Sequence, residues 1–297
     1  MKVKSFRREK SKMFTKITEE ILKLTEPDFL YLSGSRLYGT DNPSSDKDLR
    51  GFIFPPFEYL IGVKKFDCRE LEGDHKIFSA KKYIKLLLQG DPQSTESLFV
   101  TQNHILKSTE VGMELLKIKE FVLSNTIYHR IVGYSVSEWR KAMGVRLEPL
   151  KRTKTEEETI RDIKSLFQPD RESMDEIVYH LYKNKERKLV SSIPSVGVRR
   201  KKEYDKFGYC VKSASHAIRL VGQLKELMET GNITFPRPNA SVLKDIKSGK
   251  WKKDDVNDLY NELKNEVMIS REKSVLPDKP NRTKVWKIYM NVVETIY

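Results

Sequence analysis

Asp46 and Asp48 stand two positions apart in SSDKDLRGF, directly ahead of an apolar run. In an extended segment alternate side chains share a face, so the two carboxylates point the same way, about 7 Å apart. Paired carboxylates are oxygen donors suited to a hard divalent cation such as Mg²⁺. A third carboxylate nearby would complete a two-metal site with ions about 3.5–4 Å apart, one serving an attacking oxygen and the other the phosphates of a leaving group. Upstream, YLSGSRLYGT offers a matching phosphate cradle. Gly34 has no Cβ, so backbone N–H groups can approach an anion closely. Ser35 adds a hydroxyl donor, Arg36 a fork that can meet phosphate oxygens in pairs, and Gly39 lets the loop turn again. Either motif alone is common in surface turns. Their order, strand, Gly-Ser, loop, Asp-x-Asp, strand, is much more specific.

Positioning these groups requires a particular set of elements. FLYLSGS reads as a buried strand entering a turn at Gly34-Ser35, and DLRGFIFPP as a second strand ended by Pro55-Pro56. KKFDCRELEGDHKIFS reads as an extended pair around Glu72-Gly73. Ser79 is placed to cap a helix over AKKYIKLLLQ, which stops at Gly90 before Pro92. An amphipathic helix is expected over Thr15–Leu24. Beyond about residue 110 the pattern turns helical, with a charged connector at KRTKTEEETIRD that becomes a helix and a loop carrying the basic run Arg199–Lys202. YCVKSASHAIRLVGQLKELMETG is a helix ended by Gly231, and Asn239 can cap a shorter one. In the former, Lys212, His216 and Arg219 fall at i, i+4 and i+7, apart from a buried stripe of Val211, Ala214, Ile218 and Val221. Such a stripe of basic groups is either a solvated face or a surface for phosphates.

Composition narrows the partners. The chain has 297 residues, 38% of them hydrophobic, enough for two domains. No run of apolar residues is long enough to span a bilayer, and the basic start MKVKSFRREKSKMF lacks the apolar core of a signal peptide, so a cytoplasmic protein without membrane partners is expected. Cys68 and Cys210 form neither a disulfide framework nor a paired zinc motif. A net charge of +14 favours an anionic partner, nucleic acid first.

GSRLYGT…SSDKDLRGF resembles the signature of the DNA polymerase-beta nucleotidyltransferase superfamily, and more narrowly that of a group of predicted nucleotidyltransferases from bacteria and their viruses. DHKIFSAKKYIKLLLQGDPQSTESLF and KSASHAIRLVGQLKELMETGNITFPRPNASVLKDIKSGK are similar to that group's second and C-terminal blocks, so the likeness touches segments from about residue 31 to 250. The resemblance implies an α+β fold with a small mixed sheet in a catalytic domain over residues 1–115, and a helical domain over 116–297. It also implies Mg²⁺ or Mn²⁺, an NTP as substrate, and transfer of a nucleoside monophosphate to an acceptor hydroxyl, with RNA the expected acceptor. A protein or small-molecule acceptor, or a non-catalytic nucleic-acid-binding module, are the alternatives. The resemblance further suggests Asp74 as the third carboxylate beside Asp46 and Asp48, with Asp67, Glu70 and Glu72 as rivals. Gly34, Ser35, Arg36, Lys212, His216 and Arg219 are expected to hold the nucleotide. Glu96 falls in the second block, where a structural role at a helix end is at least as good a reading. Tyr38, Tyr83 and Phe99 could stack on a base, although a core or rim position is the commoner use of such aromatics.

Overall fold

The computed structural model describes residues 26–71, 75–149, 187–191 and 198–297. The helix expected at Thr15–Leu24, the connector at 151–162, and Glu72, Gly73 and Asp74 lie outside the described residues. In chain order come β1 (Phe29–Leu32), the one-turn helix α1 (Gly34–Tyr38), β2 (Leu49–Ile53), α2 (Phe57–Leu60), β3 (Cys68–Leu71) and β4 (His75–Ser79). There follow α3 (Ala80–Leu88), α4 (Pro92–Glu96), β5 (Ile105–Ser108), α5 (Glu110–Leu116), α6 (Lys119–Val122) and α7 (Ile127–Ala142). Next are β6 (Val145–Pro149), β7 (Arg187–Ser191), α8 (Val198–Phe207), α9 (Val211–Thr230), α10 (Ala240–Lys247), α11 (Lys253–Glu272) and α12 (Arg282–Ile296).

Five strands form one mixed sheet in the order β3-β4-β2-β1-β5, which is the α+β architecture expected. β2 runs parallel to β4, and the other pairings are antiparallel. FLYL is buried at all four positions because β1 has a neighbour on each edge and packed side chains on both faces. Leu30, Leu32, Leu49, Ile53 and Ile77 make the core on one face. On the other, Phe29 stacks on Phe52 (5.7 Å), and Phe52 stacks on Tyr83 of α3 (4.5 Å). Gly51 lies opposite Leu30 in the register, and a Cβ there would come within 2.0 Å of the Phe29 carbonyl oxygen, so the central strand has no room for a side chain at that point. The expected caps hold in part. Ser79 Oγ accepts from the Lys82 N–H (3.2 Å) at the start of α3, whereas Asn239 precedes α10 without a side-chain cap bond.

Contacts group the described residues into two units, one from residues 26–136 and 215–297 and one within 137–214. The boundary expected near residue 115 therefore does not separate compact units. The reason is that α12 packs on α3, α5 and α6. Phe54 stacks on Tyr289 (5.9 Å), and the Asn125 and Asn281 N–H groups donate to the carbonyls of Pro277 and Phe121 (both 2.8 Å). In the second unit β6 pairs antiparallel with β7, Val145 opposite Ser191. The basic run Arg199–Lys202, expected in a loop, lies in α8. Its residues are good helix formers, and buried Tyr204 anchors the helix by donating its hydroxyl to the Lys141 carbonyl.

Asp28 pins the sheet at the entry to β1. Its carboxylate accepts from the Phe54 N–H (2.8 Å) and the Thr109 hydroxyl (2.9 Å), while Thr109 caps α5 at Gly112 (3.0 Å). Burial raises the Asp28 pKa despite these donors. Asp28→Ala leaves a buried N–H without its acceptor and is predicted to cost about 1–3 kcal/mol, read as a lower urea midpoint at unchanged slope.

Candidate active site

The β1–β2 register sets Leu32 opposite Leu49 and is extended by a hydrogen bond from the Ser33 N–H to the Asp48 carbonyl (2.8 Å). The chain then turns at Gly34 with φ +66°, a conformation that glycine adopts freely. The Gly34-Ser35 turn expected from the sequence is in fact the first residues of α1. A Cβ on Gly34 would sit 1.9 Å from Asp48 Oδ2 and 2.8 Å from its Cγ. The Asp48 carboxylate thus lies directly on the glycine, and the two motifs meet in one corner of the sheet.

The nine residues between Gly39 and Leu49 are folded on themselves. Asn42 Oδ1 accepts from the N–H and hydroxyl of Ser44 (3.0 and 2.9 Å), and the Ser45 N–H returns to the Asn42 carbonyl (3.0 Å). Arg36 holds this loop, donating to the Ser45 carbonyl (2.9 Å) and approaching Asp41 (3.6 Å). Its fork is therefore spent largely on the loop that carries Asp46. Asp46 is exposed and Asp48 half-buried, both just before β2 rather than on it. By alternation Asp48 shares the face of Arg50 and Phe52, where Tyr31 and Tyr83 also lie. Ser35 is half-buried beside Gly34.

At the far end of α1, buried Tyr38 donates its hydroxyl to Glu96 Oε2 (2.7 Å). Arg219 lies over the Tyr38 ring at 3.8 Å and pairs with Glu96 Oε1. Arg219, expected among cations facing a phosphate, is thus turned inward and is 4% exposed. A charge this deep needs a desolvated partner, and breaking such a pair typically costs about 3–5 kcal/mol. Burial, relieved only in part by the Arg219 charge, pushes the Tyr38 pKa far above the usual phenol range, so the hydroxyl stays a donor. Tyr83 and Phe99, like Tyr38, are buried and present no open face for a base. His216 is half-buried and Lys212 exposed, so exposure falls along the expected stripe from Lys212 to Arg219.

Asp74 lies outside the described residues, as does Glu72. Asp67 is exposed, and Glu70 is on β3. β4 starts at His75, whose Nδ1 accepts from the Leu49 N–H (3.1 Å), so that ring nitrogen carries no proton. Among the described residues no cluster of three or more His, Cys, Asp or Glu is placed to hold a metal ion. Asp46 and Asp48 are nevertheless the oxygen donors a hard cation takes, and the space over Gly34 keeps one of them in place. His75 and Glu96 are the site-shaping residues that spacing did not single out. A lone histidine at a strand start and a glutamate at a helix end carry no motif, although Glu96 falls within the second resembling block.

The Gly34–Asp48 contact has a thermodynamic signature. Gly34→Ala is predicted to destabilise the fold by about 1–3 kcal/mol, through both the clash and the positive φ. Asp48→Ala in the same molecule removes the clash, so the double variant is expected to lose less than the two single losses together. Purely additive losses in a double-mutant cycle would contradict the contact.

The chain is 24% identical over 277 residues to an uncharacterized 38.9 kDa protein of the nrdC-mobD intergenic region of Enterobacteria phage T4, covering 73% of this chain and 81% of the phage protein. No solved structure matches it significantly. The model of the RlaP family, described as an RNA repair pathway DNA polymerase beta family, matches residues 28–278. That span takes in the Gly34–Asp48 corner, Glu96 and the helices behind it, and the chain belongs to this family.

Proposed function

We propose that the protein transfers a nucleoside monophosphate from an NTP to an acceptor hydroxyl, with RNA as the acceptor. The observation that carries this reading is the Asp48 carboxylate lodged against Gly34, in a chain of a polymerase-beta family. Asp46 and Asp48 would hold Mg²⁺ or Mn²⁺, with Asp74 as the third carboxylate. Support for Asp74 comes from its neighbour His75, which starts β4 and accepts from the backbone next to Asp48. The metal would neutralise charge on the phosphates. Gly34 and Ser35 would present backbone and hydroxyl donors to the triphosphate, and His216, in the same unit, is the basic residue proposed for the same anion. The acceptor oxygen displaces pyrophosphate at the α-phosphorus, so the residues contribute by positioning and charge. RNA is favoured by the net charge of +14 and by the family's description as an RNA repair pathway group.

The test is a transfer assay with Mg²⁺, each α-³²P NTP in turn, and cellular RNA, DNA or protein as acceptor. Label is expected in RNA, with salt-sensitive yield, and is expected to fall at least a hundredfold (~10²) in Asp46→Ala/Asp48→Ala and in Asp74→Ala. Label in protein or a metabolite would overturn the acceptor. Undiminished label with the aspartate variants would overturn the site.

A further inference from the structure

α1 has five residues, too few for its own hydrogen bonds to hold it as a helix. Its first residue seats Asp48, so whatever fixes this turn also fixes the metal-facing corner. The last residue, Tyr38, is gripped by two segments far away in sequence. Glu96, ending α4, accepts the Tyr38 hydroxyl at 2.7 Å. Arg219, from α9, lies over the ring at 3.8 Å, pairs with Glu96 and donates to Gln223 Oε1 at 2.5 Å. Glu96, Arg219 and Gln223 are 1%, 4% and 2% exposed. Outside this grip the Tyr38 carbonyl accepts from the Arg237 N–H (3.0 Å), and Lys247 reaches the Thr40 carbonyl (3.3 Å).

A buried carboxylate–guanidinium pair gives little stability over apolar side chains of the same volume. It does differ from them in direction. A phenol held by an acceptor at 2.7 Å and a cation on its face cannot rotate or slide as a leucine-packed ring can. We propose that Glu96 and Arg219 are positioning residues. Acting through Tyr38, they hold the α1 turn so that Gly34 and Ser35 stay seated against Asp48, and they thereby set the affinity for the triphosphate group of the nucleotide. This rests on the reading of the corner as an NTP site. Both residues act from the buried side of α1 and not on the nucleotide itself.

Two variants separate positioning from simple stability. Tyr38→Phe removes one hydroxyl and keeps the ring. Tyr38→Phe/Glu96→Leu/Arg219→Met replaces the hydroxyl, carboxylate and guanidinium by apolar groups of similar size and leaves only Gln223 polar, a change that costs far less than breaking the pair on one side. The probe is inorganic tripolyphosphate at fixed Mg²⁺, titrated calorimetrically, with the thermal midpoint measured on the same samples. Both variants are expected to remain cooperatively folded, with a midpoint lowered by no more than about 10 °C, and to bind tripolyphosphate about tenfold more weakly at a temperature well below it. Wild-type affinity in the folded Tyr38→Phe protein overturns the proposal, whether or not the triple variant folds. Asp46→Ala/Asp48→Ala is the reference. If it binds as wild type does, or if wild-type binding needs no Mg²⁺, the reading of the corner fails and the positioning role with it. If it loses binding while Tyr38→Phe keeps it, only the positioning role fails.

Discussion

A methyl group at residue 34 and the carboxylate of Asp48 cannot occupy the same space, and much of this fold is arranged around that exclusion. The register of β1 on β2 brings Ser33 to the Asp48 carbonyl, the positive φ of Gly34 turns the chain at that point, and the carboxylate fills the volume a Cβ would take. The loop between the two motifs is fastened by Asn42 and Arg36 rather than left open. A carboxylate held on a sheet corner against bare backbone has few orientations available. Such pre-ordering is what a metal–phosphate site needs, because the donors need not be reorganised when charge arrives.

The rest of the first unit closes on the same turn from behind. Segments around residues 96, 219 and 235–247 all reach α1 or the residues just after it. A Cβ on Gly39 would meet Pro236 at 2.8 Å, so the exit from α1 is closely packed too. This explains why helices from the distal part of the chain belong to the same compact unit as the sheet. They complete the support of a turn that the local sequence is too short to stabilise.

The strands and the Ser79-capped helix were legible in the sequence because each rests on local pattern: FLYL, the extended runs CREL and HKIFS, and Ser79 ahead of an amphipathic run. The pairing of Gly-Ser with Asp-x-Asp was legible as well, but the reason for the glycine was not, since a contact between residues 34 and 48 depends on register. Arg219 shows the limit most clearly. An i, i+4, i+7 pattern says that three side chains share a stripe, not which way the stripe faces; a distant glutamate, Glu96, draws the last of them inward. Arg199–Lys202 similarly reads as a solvated loop until the buried Tyr204 makes it a helix.

The proposed role of Asp46 and Asp48 in holding a divalent cation is tested most directly by anomalous diffraction at the manganese edge, from crystals soaked with Mn²⁺ and a non-hydrolysable NTP. A peak within about 2.0–2.3 Å of oxygens from both carboxylates is expected, with phosphate oxygens completing the shell. Manganese bound elsewhere, or nucleotide bound with no metal at these two aspartates, would contradict it.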